Sequence, residues 1–280
     1  MACTTVKTPI VYYGGKTSIL PHLLEMVPPH ENYVEEFVGG GTLFWSKPKA
    51  KMETINDRLD VVVNFYRTLK GNYTRLKKMI DATLISRSIY NEAGNILRAH
   101  KYGVKVDRLQ LAWAFWMQSN FSYMNKILGG YKQEKGGGRS VPSELKNKKR
   151  EFTHHLVERI ENTTIENEDW QVVANARNVK QAFHYFDPTY PGTDRGSLHP
   201  MTWEEYEQLV LWCGNECKGK FLLSSYNNDI LNRYVKTFGW HKKEITHQLK
   251  TARKNGTQTH RTEVLVSNYK SACGTIELFK

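Results

Sequence analysis

The feature that most constrains the fold is a short aromatic run that ends abruptly in a proline-rich turn. The run extends from Phe183 to Phe186, and Asp187-Pro188-Thr189-Tyr190-Pro191 follows it at once. Aromatic residues favour an extended strand, and Pro188 cannot donate a backbone hydrogen bond, so the strand ends there. Asp187 and Tyr190 are therefore expected on a stiff turn at the carboxyl end of a strand, the edge at which open α/β sheets bind ligands. A solvated turn that contains an aspartate is the alternative.

A glycine-rich junction lies nearer the amino end of the chain. Residues 33–38 read as a short strand, Gly39-Gly40-Gly41 as a turn, and the residues from Thr42 as the start of a helix. This order is typical of a nucleotide-binding βαβ unit, in which glycines clear space for a ligand at the start of a helix. The dinucleotide fingerprint requires a glycine where Phe44 stands, so a nicotinamide cofactor is disfavoured.

Two further segments fit the same kind of pocket. Asp57 ends the next predicted strand, where a carboxylate could bind both hydroxyls of a ribose or could cap the helix predicted over 61–69. The segment Tyr12-Tyr13-Gly14-Gly15-Lys16 places a glycine pair and a cation before a short helix, but it lacks the spacing of a Walker phosphate loop.

Positive charge is concentrated in two segments of this 280-residue chain of net charge +12. Residues 126–150 contain eight Lys or Arg against two Glu, and residues 241–261 contain six against one Glu. Both segments also carry side chains suited to phosphate and base contacts. This pattern indicates a surface that binds a polyanion, with two solvated, flexible loops as the alternative.

The chain shows no sign of a membrane or a secretory pathway. It lacks a run of about 20 apolar residues, and residues 1–9 lack the apolar core of a signal peptide. The four cysteines, Cys3, Cys213, Cys217 and Cys273, do not have the spacing of a zinc site. We therefore expect a cytoplasmic protein with free thiols, no metal site and no membrane partner.

The middle of the chain has a different character. Residues 76–97 and 109–117 have helical spacing, whereas residues 118–140 are polar and irregular and include a glycine triplet at 136–138 that suggests a mobile loop. Trp113, Phe115 and Trp116 are interpreted as the core of this helical part rather than as a platform for stacked bases. The sequence predicts a catalytic domain formed by residues 1–70 and 160–280 and an insertion at 71–159.

The sheet is expected to resume after the insertion. Residues 163–165 and 220–223 read as strands, and a helix begins near Thr202, which forms a capping box with Glu205. Residues 240–245 and 263–268 alternate like paired strands on either side of the second basic segment, which is interpreted as a loop.

The order of these motifs resembles the Dam-like family of DNA adenine-N6 methyltransferases, which use S-adenosyl-L-methionine (SAM). That family has Tyr/Trp-x-Gly-Gly-Lys, Glu-x-Phe-x-Gly-x-Gly, an acid after the second strand, a target-recognition insertion and Asp-Pro-Pro-Tyr. The corresponding residues here are 12–16, 35–41, Asp57, the insertion and 187–190, and residues 263–269 resemble the closing strand. The resemblance covers nearly the whole chain. It implies a Rossmann-like α/β sheet of the SAM-dependent methyltransferase type with a helical target-recognition (DNA-binding) insertion.

The resemblance also implies a role for each motif in binding SAM. Glu35 and Phe37 would hold its methionine end with the glycine turn, Asp57 its ribose and Asp169 its adenine. The residues implied to bind SAM are Tyr12, Lys16, Glu35, Phe37, Gly39, Gly41, Asp57, Asp169 and Asp187.

The implied catalytic residues are Asp187, Pro188 and Tyr190. Asp187 and the backbone carbonyl of Pro188 would accept hydrogen bonds from the exocyclic amine of the target base, and Tyr190 would stack on that base. Such a nitrogen is a poor nucleophile, because its lone pair is delocalised into the ring, so catalysis depends on positioning and electrostatics. It is also unreachable inside a duplex, so the base must rotate out of the helix.

Two departures from the family pattern leave questions open. Thr189 stands where the family usually has a second proline, and the insertion lacks the fuller pattern of GATC-reading members, which leaves the recognition sequence open. The residues expected to contact double-stranded DNA are Asn120, Ser122, Tyr123, Lys126, Lys132, Arg139 and Lys148.

The sequence supports an adenine-specific enzyme of a bacterial or phage-infected cell with no obligate protein partner. Cytosine-N4 methylation, a catalytically silent DNA-binding relic and an RNA substrate stay open as alternatives. A solitary enzyme and the modification half of a restriction system are equally compatible with the sequence.

Overall fold

The computed structural model describes residues 6–12, 14–133, 140–192, 200–254 and 257–271, with side chains omitted for 247–254 and 257–261. The strands are β1 Asn32–Glu35, β2 Met52–Asn56, β3 Thr163–Glu166, β4 Ala182–Phe186, β5 Lys220–Ser225, β6 His241–Lys254 and β7 Thr257–Ser267. The helices are α1 Leu20–Met26, α2 Thr42–Ser46, α3 Asp60–Gly71, α4 Tyr73–Ala82, α5 Arg87–Lys101, α6 Arg108–Phe121, α7 Val141–Glu151, α8 His155–Ile160, α9 Trp170–Ala176, α10 Trp203–Asn215 and α11 Asp229–Phe238.

The strands form one sheet in the order β3-β2-β1-β4-β5-β7-β6. Strands β1 to β5 are parallel to one another, whereas β7 is antiparallel to both β5 and β6. The predicted Rossmann-like α/β fold is confirmed. From β1 the chain builds the sheet outward through β2 to β3, and from β4 it builds outward the other way. The topological switch therefore lies between β1 and β4, where a crevice opens at the carboxyl ends of the strands.

A buried ionisable pair joins the two strands that flank this switch. His184 on β4 and Glu36, which follows β1, are fully buried, and Nδ1 of the histidine lies 2.6 Å from Oε1 of the glutamate. Burial raises the pKa of Glu36, while His184 acts in the opposite direction. Each side chain provides a hydrogen-bond partner for one polar atom of the other inside the core. Removal of either residue would leave that atom of the remaining residue without this partner.

The predicted insertion corresponds to α4 to α8, which lie between α3 and β3. Trp113, Phe115 and Trp116 on α6 are buried, as predicted. Phe115 packs against Phe65 of α3 and against Tyr12, with ring centroids 6.1 and 6.4 Å apart. These helices therefore share one hydrophobic core with the sheet.

The helical stretch expected over 76–97 is interrupted in the structure. Helix α4 ends at Ala82, and the Ser86 side chain caps α5 by accepting a hydrogen bond from the Ile89 N–H. Between them, Thr83 Oγ1 donates to the Met79 carbonyl and accepts from Nε1 of Trp113 at 2.8 Å. Thr83 therefore ties the break in the chain to α6.

The paired strands predicted for 240–245 and 263–268 are present but longer. Strand β6 continues to Lys254 and β7 begins at Thr257, so the second basic segment is an antiparallel hairpin and not the expected loop. The capping box of Thr202 and Glu205 is confirmed at the start of α10. The glycine triplet at 136–138 lies outside the described residues.

A buried ion cluster joins the edge of the sheet to the end of the insertion. Glu53 of β2 accepts hydrogen bonds from Lys47 Nζ at 2.6 Å and from Arg159 of α8 at 3.1 Å. The guanidinium of Arg159 also lies 3.9 Å from the centroid of the Phe44 ring. All three charged residues are buried, so removal of one leaves incompletely compensated charge in a medium of low polarity.

We expect Arg159→Ala to lower the free energy of unfolding by on the order of 3 kcal/mol, because Glu53 keeps only one of its two cations. Denaturant titration measures this change. Lys51→Ala is the matched control, because Lys51 and its partner Glu31 are largely exposed, and it should cost less than about 1 kcal/mol. Equal losses in the two variants would contradict a structural role for the buried cluster.

Candidate active site

A pocket opens at the switch point between β1 and β4. It is lined by the turns that follow β1, β2, β4 and β5, by the segment before α1 and by the part of β7 near Glu263. Every residue expected to bind SAM lines this pocket, namely Tyr12, Lys16, Glu35, Phe37, Gly39, Gly41, Asp57, Asp169 and Asp187, and so do Pro188 and Tyr190. The structure thus brings together these residues, which are up to 178 positions apart in the sequence, as between Tyr12 and Tyr190.

The glycine turn is packed directly against an aromatic ring. Gly39 and Gly41 have φ angles of 44° and 63°, a backbone region that favours glycine. A Cβ atom on Gly39 would lie 3.0 Å from Cδ1 of Tyr12, and the Tyr66 hydroxyl donates to the Gly39 carbonyl at 2.9 Å. The turn therefore requires glycine for both its conformation and its close contact, and its backbone lies open to the pocket.

Asp57 supports this turn from the end of β2. Its Oδ2 accepts a hydrogen bond from the Gly39 N–H at 3.0 Å and its Oδ1 from the Leu59 N–H at 2.9 Å, just before α3. Burial raises the pKa of Asp57 to about 6, against the lowering effect of these two donors. The carboxylate stabilises the start of α3 and also faces the pocket, so the two roles expected from the sequence are compatible.

Glu35 lies at the end of β1 with its side chain in the protein interior. Burial raises its pKa to about 8, and the nearby Asp187 charge acts in the same direction. Its Oε2 accepts a hydrogen bond from the Tyr33 hydroxyl at 2.6 Å. Near neutral pH Glu35 is therefore mainly protonated in the free protein, and a cation placed beside it would favour its ionised form.

The opposite wall of the pocket is aromatic. Phe37 packs against Trp170 and Phe186, with ring centroids 6.5 Å apart in both pairs. Asp169 precedes Trp170 and caps α9 by accepting a hydrogen bond from the Gln171 N–H at 2.9 Å. The cap fixes the position of the Asp169 carboxylate at the edge of this wall.

A buried cluster surrounds Asp187. Lys16 Nζ lies 2.8 Å from Oδ1 of Asp187, and the Tyr190 hydroxyl donates to the same oxygen at 3.2 Å. Burial raises the pKa of Asp187, while Lys16 and Tyr190 act to lower it. The described residues place no hydrogen-bond donor on Oδ2 of Asp187, so this oxygen can accept a bond from a ligand. The Tyr190 ring lies against the Tyr226 ring, with centroids 4.4 Å apart.

The residues expected to contact DNA are distributed differently from the expectation. Asn120 and Ser122 are buried; Asn120 donates to the carbonyls of Pro9 and Trp116, and Ser122 is hydrogen-bonded to Tyr90 at 2.6 Å. The structure therefore gives both side chains hydrogen-bond partners inside the protein and does not place them on the surface, where DNA contact was expected.

The other expected DNA contacts are more accessible. Tyr123 is 60% exposed, and Lys126, Lys132 and Lys148 are partly buried. Lys132 forms an ion pair with Glu144 at 2.6 Å. Arg139 lies outside the described residues.

Tyr123 lies on a tightly closed loop, residues 122–131. A bridge between Ser122 and Tyr131 closes the loop, and the Tyr90 hydroxyl donates to the Gly129 carbonyl at 2.7 Å. Met124, Asn125 and Leu128 adopt positive φ angles of 54°, 57° and 61°, which are costly for residues other than glycine. This bonding holds the loop in a fixed shape that presents Tyr123 and Met124 to solvent.

Several pocket residues were not identified from the sequence, and three of them are polar residues at or beside the strands. Asn56 ends β2 and donates to the carbonyls of Glu36 and Glu168, so it joins the turns that follow three strands. Tyr226 lines the pocket in the turn after β5, and Glu263 lines it from β7. The polar turn after β5 was a usable signal for Tyr226. The position of Glu263 depends on the pairing of β7 with β5, which a single sequence does not specify.

Comparison with known proteins decides between the chemical alternatives. A family model described as D12 class N6 adenine-specific DNA methyltransferase matches residues 12–249, which is most of the chain. The chain belongs to this family.

Two further similarities, one in sequence and one in structure, differ in how strongly they support an assignment. The chain is 28% identical over 277 residues to the Type II methyltransferase M1.LlaDCHI of Lactococcus lactis subsp. cremoris, which covers 91% of this chain and 93% of the relative. A crystal structure of a precorrin 8W decarboxylase from Methanobacterium thermoautotrophicum aligns with 90% of this chain and 89% of its own, at 8% identity and a TM-score of 0.37. That structural likeness is too low to support an argument.

Family membership confirms the resemblance found in the sequence. The protein is an adenine-specific DNA methyltransferase that methylates the N6 amine of adenine in DNA, and the family implies SAM as the methyl donor. Among the described residues, no group of three or more His, Cys, Asp or Glu side chains is arranged to hold a metal ion. No helix in the described ranges combines the length and apolar character needed to cross a bilayer.

The raised pKa of Glu35 predicts a pH-dependent stability for the free enzyme. The unfolded chain loses the Glu35 proton near its ordinary pKa of 4.5, but the folded protein loses it only at about 8. Ionisation of Glu35 therefore lowers the free energy of unfolding progressively as the pH rises from about 4.5 to about 8. Above this range it causes no further decrease. Glu35→Gln removes this effect, so its Tm relative to the unmodified enzyme should rise between about pH 6 and about pH 8.5.

Thermal unfolding without SAM at several pH values measures this difference. Glu31→Gln is the control, because Glu31 is exposed, and its Tm difference from the unmodified enzyme should be independent of pH. A Glu35→Gln difference that stays constant with pH would show that Glu35 is ionised in the folded enzyme throughout this range.

Proposed function

We propose that this enzyme binds SAM and a flipped-out adenine in the pocket at the switch point and transfers the methyl group within a specific DNA sequence. The observation that carries the proposal is the position of Asp187. Its Oδ1 is held by Lys16 and Tyr190, and the residue lines a pocket that is also lined by the glycine turn and by further carboxylates, among them Glu35 and Asp57.

The residues of the pocket fit SAM. The turn at 39–41 lines the pocket with glycine residues only, which lets a ligand approach its backbone. Asp57 presents a carboxylate suited to ribose hydroxyls, and Glu35 presents one suited to the ammonium group of the methionine moiety. Phe37 and Trp170 offer an apolar wall for the adenine ring, with Asp169 at its edge.

SAM supplies a methyl group on a sulfonium: the N6 lone pair forms the new N–C bond, the electron pair of the breaking C–S bond stays on sulfur, and N6 then releases a proton to solvent. The protein positions the reactants and provides hydrogen-bond acceptors for the amine. Oδ2 of Asp187 and the carbonyl of Pro188 accept hydrogen bonds from the amine, which favours a pyramidal nitrogen with an available lone pair. The Tyr190 ring provides a face for the base, and no covalent intermediate with the enzyme is needed.

The loop at 122–131 is proposed to contact DNA beside the target base. Its internal hydrogen bonds already order the backbone at Tyr123 and Met124 in the free protein. DNA binding therefore costs little further conformational entropy of the loop. When the target base rotates out of the helix, the bases beside it become exposed. The exposed aromatic and apolar side chains at the tip of the loop are suited to contact these bases. The insertion at 71–159 would thus act as the target-recognition part of the enzyme.

Helix α7 is proposed to bind the phosphate backbone. It contains Lys146, Lys148, Lys149 and Arg150, and an ion pair of 2.8 Å between Glu151 and Lys7 places its end beside the segment that leads to Tyr12. Lys149 donates to the carbonyls of Asp81 and Thr83 and so contributes to packing. Lys146 and Lys148 are therefore the better candidates for phosphate contacts.

The biological role proposed here is modification within a restriction system. This proposal follows from the relative in Lactococcus lactis, whose name describes a Type II methyltransferase and which aligns over nearly its full length. A solitary methyltransferase is the alternative, and mapping the methylated sequence in the source genome beside its neighbouring genes would distinguish the two.

The proposed reaction is tested by transfer from SAM labelled in its methyl group to unmethylated genomic DNA, followed by nucleoside analysis. Label is expected in N6-methyladenine. Asp187→Ala should lower kcat at least about a thousandfold, because the amine loses its main acceptor, with the fold retained. Asp229→Ala, at an exposed position on α11, is the control. Near-normal turnover in Asp187→Ala would refute the assigned mechanism.

The phosphate contacts are tested by the salt dependence of DNA binding. Replacing Lys146 and Lys148 with Gln should weaken binding and reduce the slope of log K against log salt by about two, because each lost phosphate contact removes roughly one released counterion. Replacing the exposed Lys218 and Lys236 with Gln changes the net charge equally and should leave the slope nearly unchanged. The same slope change in both double variants would show that only total charge matters.

A further inference from the structure

A second carboxylate reaches the lysine that holds Asp187. Lys16 Nζ lies 2.8 Å from Oδ1 of Asp187 and 3.7 Å from Oε2 of Glu263, and it also donates to the Gly14 carbonyl at 2.9 Å. The ammonium group lies 5.0 Å from the centroid of the Tyr190 ring. One buried cation is therefore shared between the buried carboxylate of Glu263 and the partly buried carboxylate of Asp187, which lie 76 residues apart in the sequence.

Glu263 is anchored in regular structure, unlike the turns that carry Lys16 and Asp187. It lies on β7, opposite Ile245 of β6 and next to Val264, which pairs with Ser225 at the end of β5. Both strand neighbours fix its backbone. The pairing of β7 with the end of β5 is what brings this carboxylate to the edge of the sheet where the pocket lies.

We propose that Glu263 is the fixed counter-ion of Lys16, and that it holds the lysine ammonium beside Oδ1 of Asp187 while Oδ2 of Asp187 accepts the target amine. This proposal rests on the proposed function of the pocket. Glu263 is thereby a positioning residue, since it acts through Lys16 and makes no contact with the reacting atoms.

The physical reason is the division of one positive charge between two anions. Asp187 must accept a hydrogen bond from a neutral amine, and a lysine paired with Asp187 alone would neutralise much of the charge that makes the carboxylate a good acceptor. Because Glu263 also stabilises the ammonium group, the charge of Lys16 does not depend on Asp187 alone. Lys16 can then stay charged and in place when substrate enters and excludes water from the pocket.

The electrostatic surroundings of Lys16 support this division. Burial lowers the pKa of Lys16, but Asp187, Glu263 and the hydroxyl of Tyr226 act in the opposite direction, and the net change is upward. The Tyr190 ring faces the ammonium. Glu35 and Tyr185 lie near enough to Asp187 to interact with its charge. Loss of Glu263 removes one negative charge from this group, which lowers the pKa of Lys16 and of Asp187 together.

The test is the pH profile of single-turnover methyl transfer in Glu263→Gln. We expect the single-turnover rate constant to fall about tenfold, both limbs of the profile to move to lower pH by about one unit, and KM for SAM, measured separately at steady state, to change little. Glu244→Gln, an exposed carboxylate on the neighbouring strand β6, should leave rate and profile unchanged. A rate loss in Glu263→Gln with unmoved limbs would indicate a merely structural role and overturn the proposal.

A double-mutant cycle tests whether Glu263 acts through Lys16. Glu263→Gln should lower the rate in the unmodified enzyme but have little further effect in Lys16→Met, because the side chain that it positions is gone. Equal losses in both backgrounds would overturn the proposal. If Glu263→Gln fails to fold, Glu263→Asp is used in the same cycle, since it keeps the charge but retracts it from Lys16 and should give a smaller loss that again vanishes in Lys16→Met.

Failure of this proposal and failure of the proposed function give different results. Full activity of Asp187→Ala would refute the function assigned to the pocket. An inactive Asp187→Ala together with a cycle in which Glu263 and Lys16 act independently would refute only the role of Glu263.

Discussion

The pocket depends on the cost of holding several carboxylates in one poorly solvated place. Glu35, Asp57 and Asp187 all have raised pKa values because burial disfavours their charged forms. Lys16 supplies a positive charge beside Asp187, and backbone N–H groups supply partial positive charge to Asp57. These groups offset only part of the cost of burying the carboxylates, so the pocket favours ligands that bring hydrogen-bond donors or positive charge. A methyl donor with ammonium and hydroxyl groups, and a base with an exocyclic amine, are ligands that meet this demand.

This grouping of acids is a direct result of strand topology. Parallel strands direct their carboxyl ends to one edge, and the switch between β1 and β4 separates the turns that follow them enough to leave a crevice. Glu35 ends β1 and Asp187 follows β4, the two strands that flank the crevice. Strand β7 contributes Glu263 to the same edge only because it is antiparallel to β5, so that Val264 pairs with the last residue of β5 and Glu263 lies just beyond that end. A parallel β7 would direct this carboxylate to the opposite edge.

Much of this arrangement was predictable, because a strand followed by proline or glycine leaves a clear local pattern. The positions of Asp187, Asp57 and the glycine turn follow from such patterns. Asn120 and Ser122, which were expected to contact DNA, are buried in the structure for a physical reason. Polar residues near the end of α6 suggest an exposed surface, but α6 is buried along most of its length, and these side chains bond to Pro9, Gln118 and Tyr90. Periodicity reports which side of a helix is apolar, and a helix buried on all sides gives no such signal.

The insertion and the pocket are parts of one packed unit, and this has a consequence for specificity. Phe115 of α6 contacts Tyr12, and the Tyr12 ring is the surface against which Gly39 of the glycine turn is packed. The same helix ends at Phe121, directly before the loop that presents Tyr123. Close-packed interiors transmit small displacements instead of absorbing them. A displacement of the loop on a DNA sequence that fits poorly would therefore be carried by α6 to the wall of the cofactor pocket, so discrimination between sequences can act on the rate of methyl transfer as well as on binding.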